Sequence, residues 1–584
     1  MRVSNLRVPY SRHVPALPFG IIVLLAGCGG NSTSGNQSNN PMPAISSLSP
    51  SSLPIGSAAQ ALTINGSGFV SSSTVTFNGV SRAATYLSSS QLTIGLTSAD
   101  LSTAGNYPVA VSNPGPGGGN SAAVNFKVTV VAVHQEWAWM GGSDTIPTSC
   151  RFGNCGQSGD YGTPGVPAAG NVPGGRYSSV SWTDLIGNLW LFGGEGFDAN
   201  GDLFPLNDLW RYEPASGEWT WMSGSDLVGQ RGVYGTLGVS AASNVPGARI
   251  NAVSWTDASG GLWLFGGQGY DANGQFEILN DLWKYTPSTG EWAWMGGSNS
   301  AGQPGVYGTL GVPAAENLPG ARWGAVGWTD ASGNLWLFGG EGCSADSCGD
   351  DDTLNDLWEY TPSTGQWTWV SGSNTGADNP GVYGTLGEPA ADNVPGTRGS
   401  AVSWTDASGS LWLFGGAGYG STASLFGSLN DLWKYTPSTG EWTWISGSNT
   451  VGQPGVYGTQ GVPAPDNVPG ARDSAASWTD ASGSFWLFGG EGYGASGLYA
   501  SELNDLWKFA LSTGEWTWMG GSSAEEQPGV YGTQSVPAAG NVPGARSSGV
   551  SWSGASDNFW LFGGGGYDAD GYLGQLNDLW VYQP

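Results

Sequence analysis

The sequence predicts an all-β chain whose larger part is a ring of six four-stranded units. First, one block returns six times, with its arginine recurring every 73–76 residues, and such a period is typical of repeat architectures. Second, each block holds four short apolar runs separated by Gly- and Pro-rich turns, the pattern of an antiparallel meander. Third, 100 Gly, 31 Trp and only 11% charged residues form a turn-rich, aromatic-rich composition that favours strands.

Ring closure follows from counting the strands. Each block has an arginine strand, a W-L-F-G-G strand, an L-N-D-L-W strand and an E-W-x-W strand. The E-W-x-W strand first appears at Glu136–Trp139, before any repeat arginine, and is missing after Trp580. We therefore expect the N-terminal copy to complete the last unit, so that no sheet edge is left open. A closed ring of six such meanders is a six-bladed β-propeller over residues 133–584.

The block also resembles a known family. The double glycine after an apolar strand, then a tyrosine, then the tryptophan that opens the last strand, resembles the kelch repeat in all six units. The central domain of galactose oxidase shares this propeller type, so the resemblance implies the scaffold. It does not extend to the copper site, which requires histidines and a cysteine-linked tyrosine. Histidine occurs here only at His13 and His134, and no Ser-His-Asp arrangement can be built in the propeller.

Residues 1–27 are predicted to be a lipoprotein signal peptide. Three arginines precede an apolar run from Val14 to Leu25 that is too short for a permanent membrane span. The junction Leu25-Ala26-Gly27-Cys28 resembles a bacterial lipobox, which implies cleavage before Cys28 and its lipidation. The alternative is an ordinary secretory signal with a chance cysteine. Gly29, where the lipoprotein family would use Asp for inner-membrane retention, favours the outer membrane or cell surface.

Two segments separate the signal peptide from the propeller. Residues 28–41 have no apolar periodicity and are predicted to be a flexible tether. Residues 42–132 contain short β-rich runs, and Asn78-Gly79 between two of them indicates a hairpin. The pattern P-x-I-x-x-L-x-P, then G-S-G-F, V-x-F-N-G and V-S-N-P-G-P-G-G resembles an IPT/TIG domain. That family has an immunoglobulin-like sandwich fold and often serves as a spacer or an interaction module.

The charge balance limits the partners. The formal charge is −28 at pH 7, with 14 basic against 45 acidic residues from Cys28 onward. Such a surface repels nucleic acid and anionic head groups. We expect no nucleic-acid partner, a membrane contact through the lipid anchor alone, and a monomer. Acidity that merely keeps an exported protein soluble explains the same numbers.

The repeat arginines are the first candidate site residues. They follow the long loops at the start of the innermost strand, so they could form a cationic ring at the channel rim that binds carboxylates or sulfates. The alternative is that each pairs with the L-N-D aspartate of its own blade. The six are Arg176, Arg249, Arg322, Arg398, Arg472 and Arg546.

Loop lengths and one exceptional tryptophan point to the same face. The loops between strands 2 and 3, such as 491–502, and those between strands 4 and 1, such as 446–470, share one side of a meander, while short turns share the other. Long loops suggest function, although six similar loops could also pack as a collar. Thirty tryptophans occupy repeat positions and are expected in the core. Trp323 lies outside that pattern and is a candidate for ligand contact.

Cysteines and acidic turns complete the candidates. Cys150 with Cys155 and Cys343 with Cys348 are C-x4-C pairs, for which local disulfides are expected in an exported protein. A shared zinc site is the alternative. The turns D-A-N-G-D at 198–202 and D-A-D-G at 568–571 loosely resemble calcium loops but lack the spacing and the terminal Glu. We expect no metal and no cofactor, with calcium the one ion these turns suggest.

These observations predict a non-catalytic surface lipoprotein that binds a glycan or a protein through the long-loop face of its propeller. No catalytic residues are assigned. Two alternatives stay open: a polysaccharide-active enzyme that uses carboxylates at the channel mouth, and a structural or adhesion scaffold.

Overall fold

The computed structural model describes residues 39–584 except 55–56, 58, 104, 130–134, 148–154, 350–351, 377 and 555–556. The chain divides into two compact units, residues 1–132 and 133–584. The predicted signal peptide, Cys28 with its predicted lipidation, and most of the predicted tether lie outside the described residues. Among the described residues, no helix has the length and apolar character needed to cross a membrane.

The smaller unit is a two-sheet sandwich, as predicted. Its apolar side chains alternate along the strands and meet in a core that includes Leu62, Val75 and Phe126, each at most 1% exposed. The predicted hairpin is present, with Asn78 and Gly79 at φ 51° and 77°, as a tight two-residue turn requires. A 3-10 helix spans Ser98–Leu101. One sheet contains, in spatial order, Ala44–Ser49, Gln60–Ser67, Gln91–Leu96 and Ala84–Ser88. The other contains Ser52–Pro54, Val124–Thr129, Gly105–Asn113, Thr74–Phe77 and Val80–Arg82, with Gly119–Asn120 paired to Gly105–Asn113.

The larger unit is a ring of antiparallel four-stranded blades, numbered here from the blade of Arg176. The first, innermost strands are Arg176–Tyr177 with Val180–Thr183, Arg249–Ile250 with Val253–Thr256, Arg322–Trp323 with Val326–Thr329, Arg398–Gly399 with Val402–Thr405, Arg472–Asp473 with Ala476–Thr479, and Arg546–Ser547 with Val550–Ser553. The second strands are Leu189–Phe192 with Glu195–Phe197, Leu262–Tyr270, Leu335–Gly342, Leu411–Phe414 with Ala417–Tyr419, Phe485–Gly492, and Phe559–Tyr567. The third strands are Leu203–Pro205 with Leu209–Glu213, Phe276–Thr286, Thr353–Thr361, Phe426–Ser428 with Leu432–Thr436, Ser501–Ala510, and Leu573–Gln583. The fourth strands are Glu218–Ser223, Glu291–Gly296, Gln366–Ser371, Glu441–Ser446, Glu515–Gly520 and, for blade 6, Glu136–Gly141.

The N-terminal strand closes the ring. Glu136–Gly141 pairs antiparallel with Leu573–Gln583, with Glu136 opposite Gln583 and Trp139 opposite Trp580. The innermost strands contact each other in order, and the sixth contacts the first. Blade 6 is therefore built from both ends of residues 133–584.

A ring of backbone hydrogen bonds joins the blades at the centre. One residue per blade donates its N–H to the carbonyl of the equivalent residue in the preceding blade, over 2.7–2.9 Å. All six have φ between 51° and 64°, in the left-handed region that only glycine and a few polar residues adopt readily. The six residues are Ser178, Asn251, Gly324, Ser400, Ser474 and Ser548. They are called the central ring below.

Tryptophans hold neighbouring blades together, as predicted for the core. Trp182 Nε1 donates to the carbonyl of Trp263 in the next blade at 2.9 Å, and Trp552 Nε1 donates to that of Trp190 at 2.9 Å across the closure. Trp404 instead stacks on Phe485, with ring centroids 5.1 Å apart. Buried aromatic rings with a satisfied N–H stabilise such interfaces strongly.

The long loops between strands 4 and 1 run along the outer edge of the next blade. Gly165 N donates to the carbonyl of Trp221 at 2.7 Å, and Asn171 Nδ2 donates to that of Trp219 at 3.0 Å. The equivalent contacts recur in all six blades. Each loop thus covers the otherwise unpaired fourth strand and protects it from edge-to-edge association. The loops between strands 2 and 3 are shorter than predicted, because the strands extend past the double glycine: only 271–275 separate Leu262–Tyr270 from Phe276–Thr286.

Candidate functional site

The six repeat arginines are buried inside the blades. In blade 1, Arg176 is 1% exposed and donates from both terminal nitrogens to Asp208 at 2.7 and 2.8 Å. The same Asp208 oxygen Oδ2 accepts from the Tyr161 hydroxyl and from Trp210 Nε1, each at 2.7 Å. Arg176 Nε donates to the carbonyl of Gly174 at 3.0 Å. Every donor of the cluster therefore has a partner, which is what a buried charge requires.

This cluster recurs in every blade with nearly constant distances. The bidentate Arg–Asp contacts span 2.6–2.9 Å in all six copies. Burial opposes the charge of Arg176, but the Asp208 carboxylate outweighs it and raises the arginine pKa above its ordinary value. Burial, reinforced by Asp208, raises the pKa of Tyr161. The tyrosine therefore stays a hydrogen-bond donor.

The expected cationic ring of Arg176, Arg249, Arg322, Arg398, Arg472 and Arg546 is not formed. All six are at most 2% exposed, and each positive charge is paired within its own blade. The alternative weighed from the sequence, pairing with the L-N-D aspartate, describes the observed geometry. In each blade the arginine side chain joins strands 1 and 3, so none of the six guanidinium groups is available to a ligand.

The residues that differ between blades lie next to the central ring. In each blade the residue after the repeat arginine pairs with one residue of strand 2, which in turn pairs with one residue of strand 3, and these rows of three are called mouth rows. They are Tyr177–Glu195–Pro205, Ile250–Gln268–Ile278, Trp323–Glu341–Thr353, Gly399–Ala417–Ser428, Asp473–Glu491–Glu502 and Ser547–Gly565–Gln575. The rows hold five carboxylates and no Lys or Arg, so the charge of this face is opposite to the expected one.

Trp323 is the largest aromatic side chain of the mouth rows. It is half-buried and packs on Ile278 of blade 2 and on Cys343 of its own blade. A cavity of about 210 Å³ is lined by the central ring residues that follow each row. Trp323 therefore leaves part of its indole ring exposed, one residue before the central ring residue Gly324 that lines the cavity.

Blade 5 carries an acidic row that the sequence reasoning missed. Asp473, Glu491 and Glu502 lie directly opposite one another on three adjacent strands. Ser428 and Ser474 donate to Asp473 at 3.1 and 3.0 Å. Burial, and then repulsion from Glu491, raises the pKa of Asp473 to about 6. The one sequence clue was that Asp follows the repeat arginine in this blade alone.

The raised pKa predicts a pH-dependent stability. Because the folded state holds the Asp473 proton up to about pH 6 and the unfolded chain releases it near pH 4, the contribution of this group to stability is fully present below pH 4 and is lost as the pH rises through 6. We expect Asp473→Ser, which copies blade 6, to remove a loss of about 3 kcal/mol between pH 4 and 7. Denaturant unfolding across this range measures it. Glu491→Gln should shrink the loss, and a stability difference between the wild type and Asp473→Ser that stays constant from pH 4 to 7 would contradict the assignment.

The two remaining kinds of candidate from the sequence are the cysteine pairs and the acidic turns. Cys343 and Cys348 form a disulfide in the loop between strands 2 and 3 of blade 3, whereas Cys150 lies outside the described residues. Asp198 Oδ1 accepts backbone N–H groups of Asn200 and Asp202 at 2.8 and 2.9 Å. Asp568 does the same for residues 570 and 572. These carboxylates therefore shape turns. Among the described residues, no group of three or more His, Cys, Asp or Glu side chains is arranged so that it could hold a metal ion.

Comparisons with known proteins identify one domain and several weak structural likenesses. A search of curated proteins finds no match. Solved structures that resemble the chain include YjhT, at 16% identity and TM-score 0.40, covering 72% of this chain and 95% of that one. An auxiliary nutrient binding protein from Bacteroides ovatus matches at 10% identity and TM-score 0.40, covering 92% and 97%. A fungal alcohol oxidase of the AA5 family, in complex with copper, matches at 14% identity and TM-score 0.37, covering 73% and 76%.

The family comparison concerns the smaller unit. At TM-scores of 0.40 and below, nothing about this chain follows from the solved structures. Residues 43–128 match the family model of the IPT/TIG domain, which confirms the resemblance seen in the sequence. The segment that precedes the propeller is an IPT/TIG domain.

Proposed function

We propose that the protein is an exported, lipid-anchored binding protein that captures a neutral or amino-bearing glycan at the mouth rows of its propeller. The observation that carries this proposal is the contrast between repeated and non-repeated residues. The repeated Arg, Asp, Tyr and Trp side chains satisfy one another inside the blades, whereas the mouth rows differ in every blade.

The chemistry of the mouth rows suits a sugar better than an anion. Carboxylates such as Glu195, Glu341 and Glu491 accept hydrogen bonds from hydroxyl or ammonium groups. Trp323 and Tyr177 offer apolar ring surface with a polar edge. The cavity of about 210 Å³ that the central ring lines has room for part of a ligand only, since binding pockets for whole small molecules start near 300 Å³. A glycan would then lie across the mouth.

A glycan array tests the proposal. We expect the full-length protein to bind neutral or amino glycans and to avoid sulfated or uronate-rich ones. Trp323→Ala should weaken that binding at least tenfold, about 1.4 kcal/mol, through loss of the aromatic face. Ile250→Ala, at the same row position in blade 2, is the matched control and should have a smaller effect.

Other results would assign the protein differently. A reducing-sugar release assay is run beside the array. Release that depends on Asp473 or Glu491 would make the mouth a polysaccharide-active site and overturn the binding proposal. No glycan binding in the array and no release of reducing sugar would instead favour a scaffold that packs against a protein.

A further inference from the structure

A second site lies on the short-turn face, between blades 1 and 2. A cleft of about 350 Å³ is bordered by the 184–188 turn, Trp190 and Arg211 of blade 1, and by residues 259–261, Lys284 and residues 286–288 of blade 2. Its volume falls in the range of small-molecule sites. It lies at the opposite face from the mouth rows and is independent of the function proposed for them.

The cleft exists because one turn breaks the repeat. Blades 2 to 5 join strands 1 and 2 with Asp-Ala-Ser-Gly, but blade 1 has Asp184-Leu185-Ile186-Gly187. Leu185 is 70% and Ile186 85% exposed. Leu185 reaches across to Gly260 of blade 2, where a Cβ would meet its side-chain carbons at 3.0 Å. The equivalent turns of blades 2 to 5 fold without such side chains. Two large apolar side chains exposed to water at this turn are therefore not needed for the fold.

Arg211 is a cation without an internal counterion. At the equivalent position Lys284, Lys434 and Lys508 pair with the aspartate of their own turn at 2.7, 3.7 and 3.0 Å. In blade 1, Asp184 is engaged by Asn188 and Trp190, whose side chains donate to Oδ2 at 2.9 Å each. Within the part of the chain that the structure describes, no carboxylate forms an ion pair with Arg211.

Two buried polar atoms beside the cleft lack partners. Arg211 Nε and Tyr285 Oη are both buried, and neither has a hydrogen-bond partner within the described structure. Burial raises the pKa of Tyr285 to about 12, opposed by the charge of Arg211. Its hydroxyl therefore remains a donor at neutral pH. An unsatisfied buried donor is costly, and an anionic acceptor in the cleft would relieve that cost at Arg211, which lines the cleft.

We propose that this cleft binds an organic carboxylate that carries an apolar group. The carboxylate accepts from the Arg211 guanidinium, whose planar fork matches it. The apolar group packs on Leu185 and Ile186, which explains why these two apolar side chains are exposed. The free acid of a small molecule and the C-terminal residue of a peptide share this chemistry.

Calorimetric titration with matched probes tests the proposal. The probes are 3-phenylpropionate and N-acetyl-Ala-Phe, each beside its neutral amide, at about 0.15 M salt to screen the acidic surface. We expect a carboxylate to bind and its amide to bind at least tenfold more weakly. Binding of phenylpropionate alone would point to a free acid, and binding of the peptide alone to a chain terminus.

The variants use residues that occupy the equivalent positions in other blades, so we expect the variant proteins to fold. Arg211→Val copies Val581, which occupies the same position in blade 6, and should weaken carboxylate binding at least tenfold. The double variant L185A/I186S recreates the turn of blade 3 and should weaken it severalfold. Lys508→Val in blade 5 is the matched control and should have no effect. Binding by neither carboxylate, equal binding of the amides, or unchanged binding by Arg211→Val would each overturn the proposal.

Discussion

Replacing Asp281 with alanine is expected to lower the free energy of unfolding by about 3–5 kcal/mol. The substitution leaves the guanidinium of Arg249, which is 1% exposed, without its bidentate partner. It also removes the acceptor of the Tyr234 hydroxyl and of Trp283 Nε1. Because all these donors are buried, water cannot replace the lost contacts. Guanidinium-induced unfolding of the purified variant measures the loss.

Two companion variants make this result specific. Lys508→Ala removes an ion pair whose lysine is 29% exposed, and should cost no more than about 1 kcal/mol. Replacing Arg249 and Asp281 together by Met and Leu should restore part of the stability lost in Asp281→Ala, because no uncompensated charge remains. An Asp281→Ala protein as stable as the wild type would show that the cluster is not structural, and would return the arginines to consideration as ligand contacts.

Replacing Trp137 with alanine should be comparably damaging, with a loss of about 3–5 kcal/mol. Trp137 belongs to the N-terminal strand but is only 4% exposed. It packs edge-on against Phe488 of blade 5 and against Trp580, with centroids 5.2 and 6.4 Å apart. Truncation would open a cavity at the closure between blades 5 and 6. Denaturant unfolding of the variant gives the loss.

The repeat provides the control for this prediction. Trp219 occupies the same position in blade 1, 6% exposed, and packs on Phe562 of the preceding blade at 5.4 Å. Trp219→Ala and Trp137→Ala should therefore lose similar stability. A harmless Trp137→Ala beside a damaging Trp219→Ala would mean that the N-terminal strand is not part of the ring.

The strands and turns formed by the repeated residues were predicted well from the sequence, because each of them could be identified from six copies and not from one. The apolar runs, the turns and the displaced E-W-x-W strand indicated the strand order before any coordinates. The pairing of Arg176 with Asp208 was one of two alternatives and could not be chosen from the sequence. Deciding between the two alternatives requires knowing whether the arginine is buried, and the spacing of the repeats gives no information on burial.

The non-repeated residues were predicted less well. Trp323 stood out because tryptophans could be counted against the repeat. Asp473 and Arg211 did not, because their strand positions hold different residues from blade to blade and the sequence does not show which charges meet there. The course of the long loops along the outer edge of the next blade also escaped prediction. It depends on hydrogen bonds such as Gly165 to Trp221, which join residues far apart in a pattern that the loop sequence does not show.

The central claim is that one chain closes a single ring, on which the non-repeated residues bind ligands. Oxidation of the double variant E136C/Q583C tests it most directly, because the two positions lie opposite each other in the closing pair and paired strand residues are within disulfide reach. We predict an intramolecular crosslink in nearly all molecules, seen as a mobility shift that a reductant reverses. The matched variant E136C/Q366C, which places the second cysteine on the fourth strand of blade 3, should form none. Absence of the first crosslink, or its formation only between two chains, would contradict the closed ring.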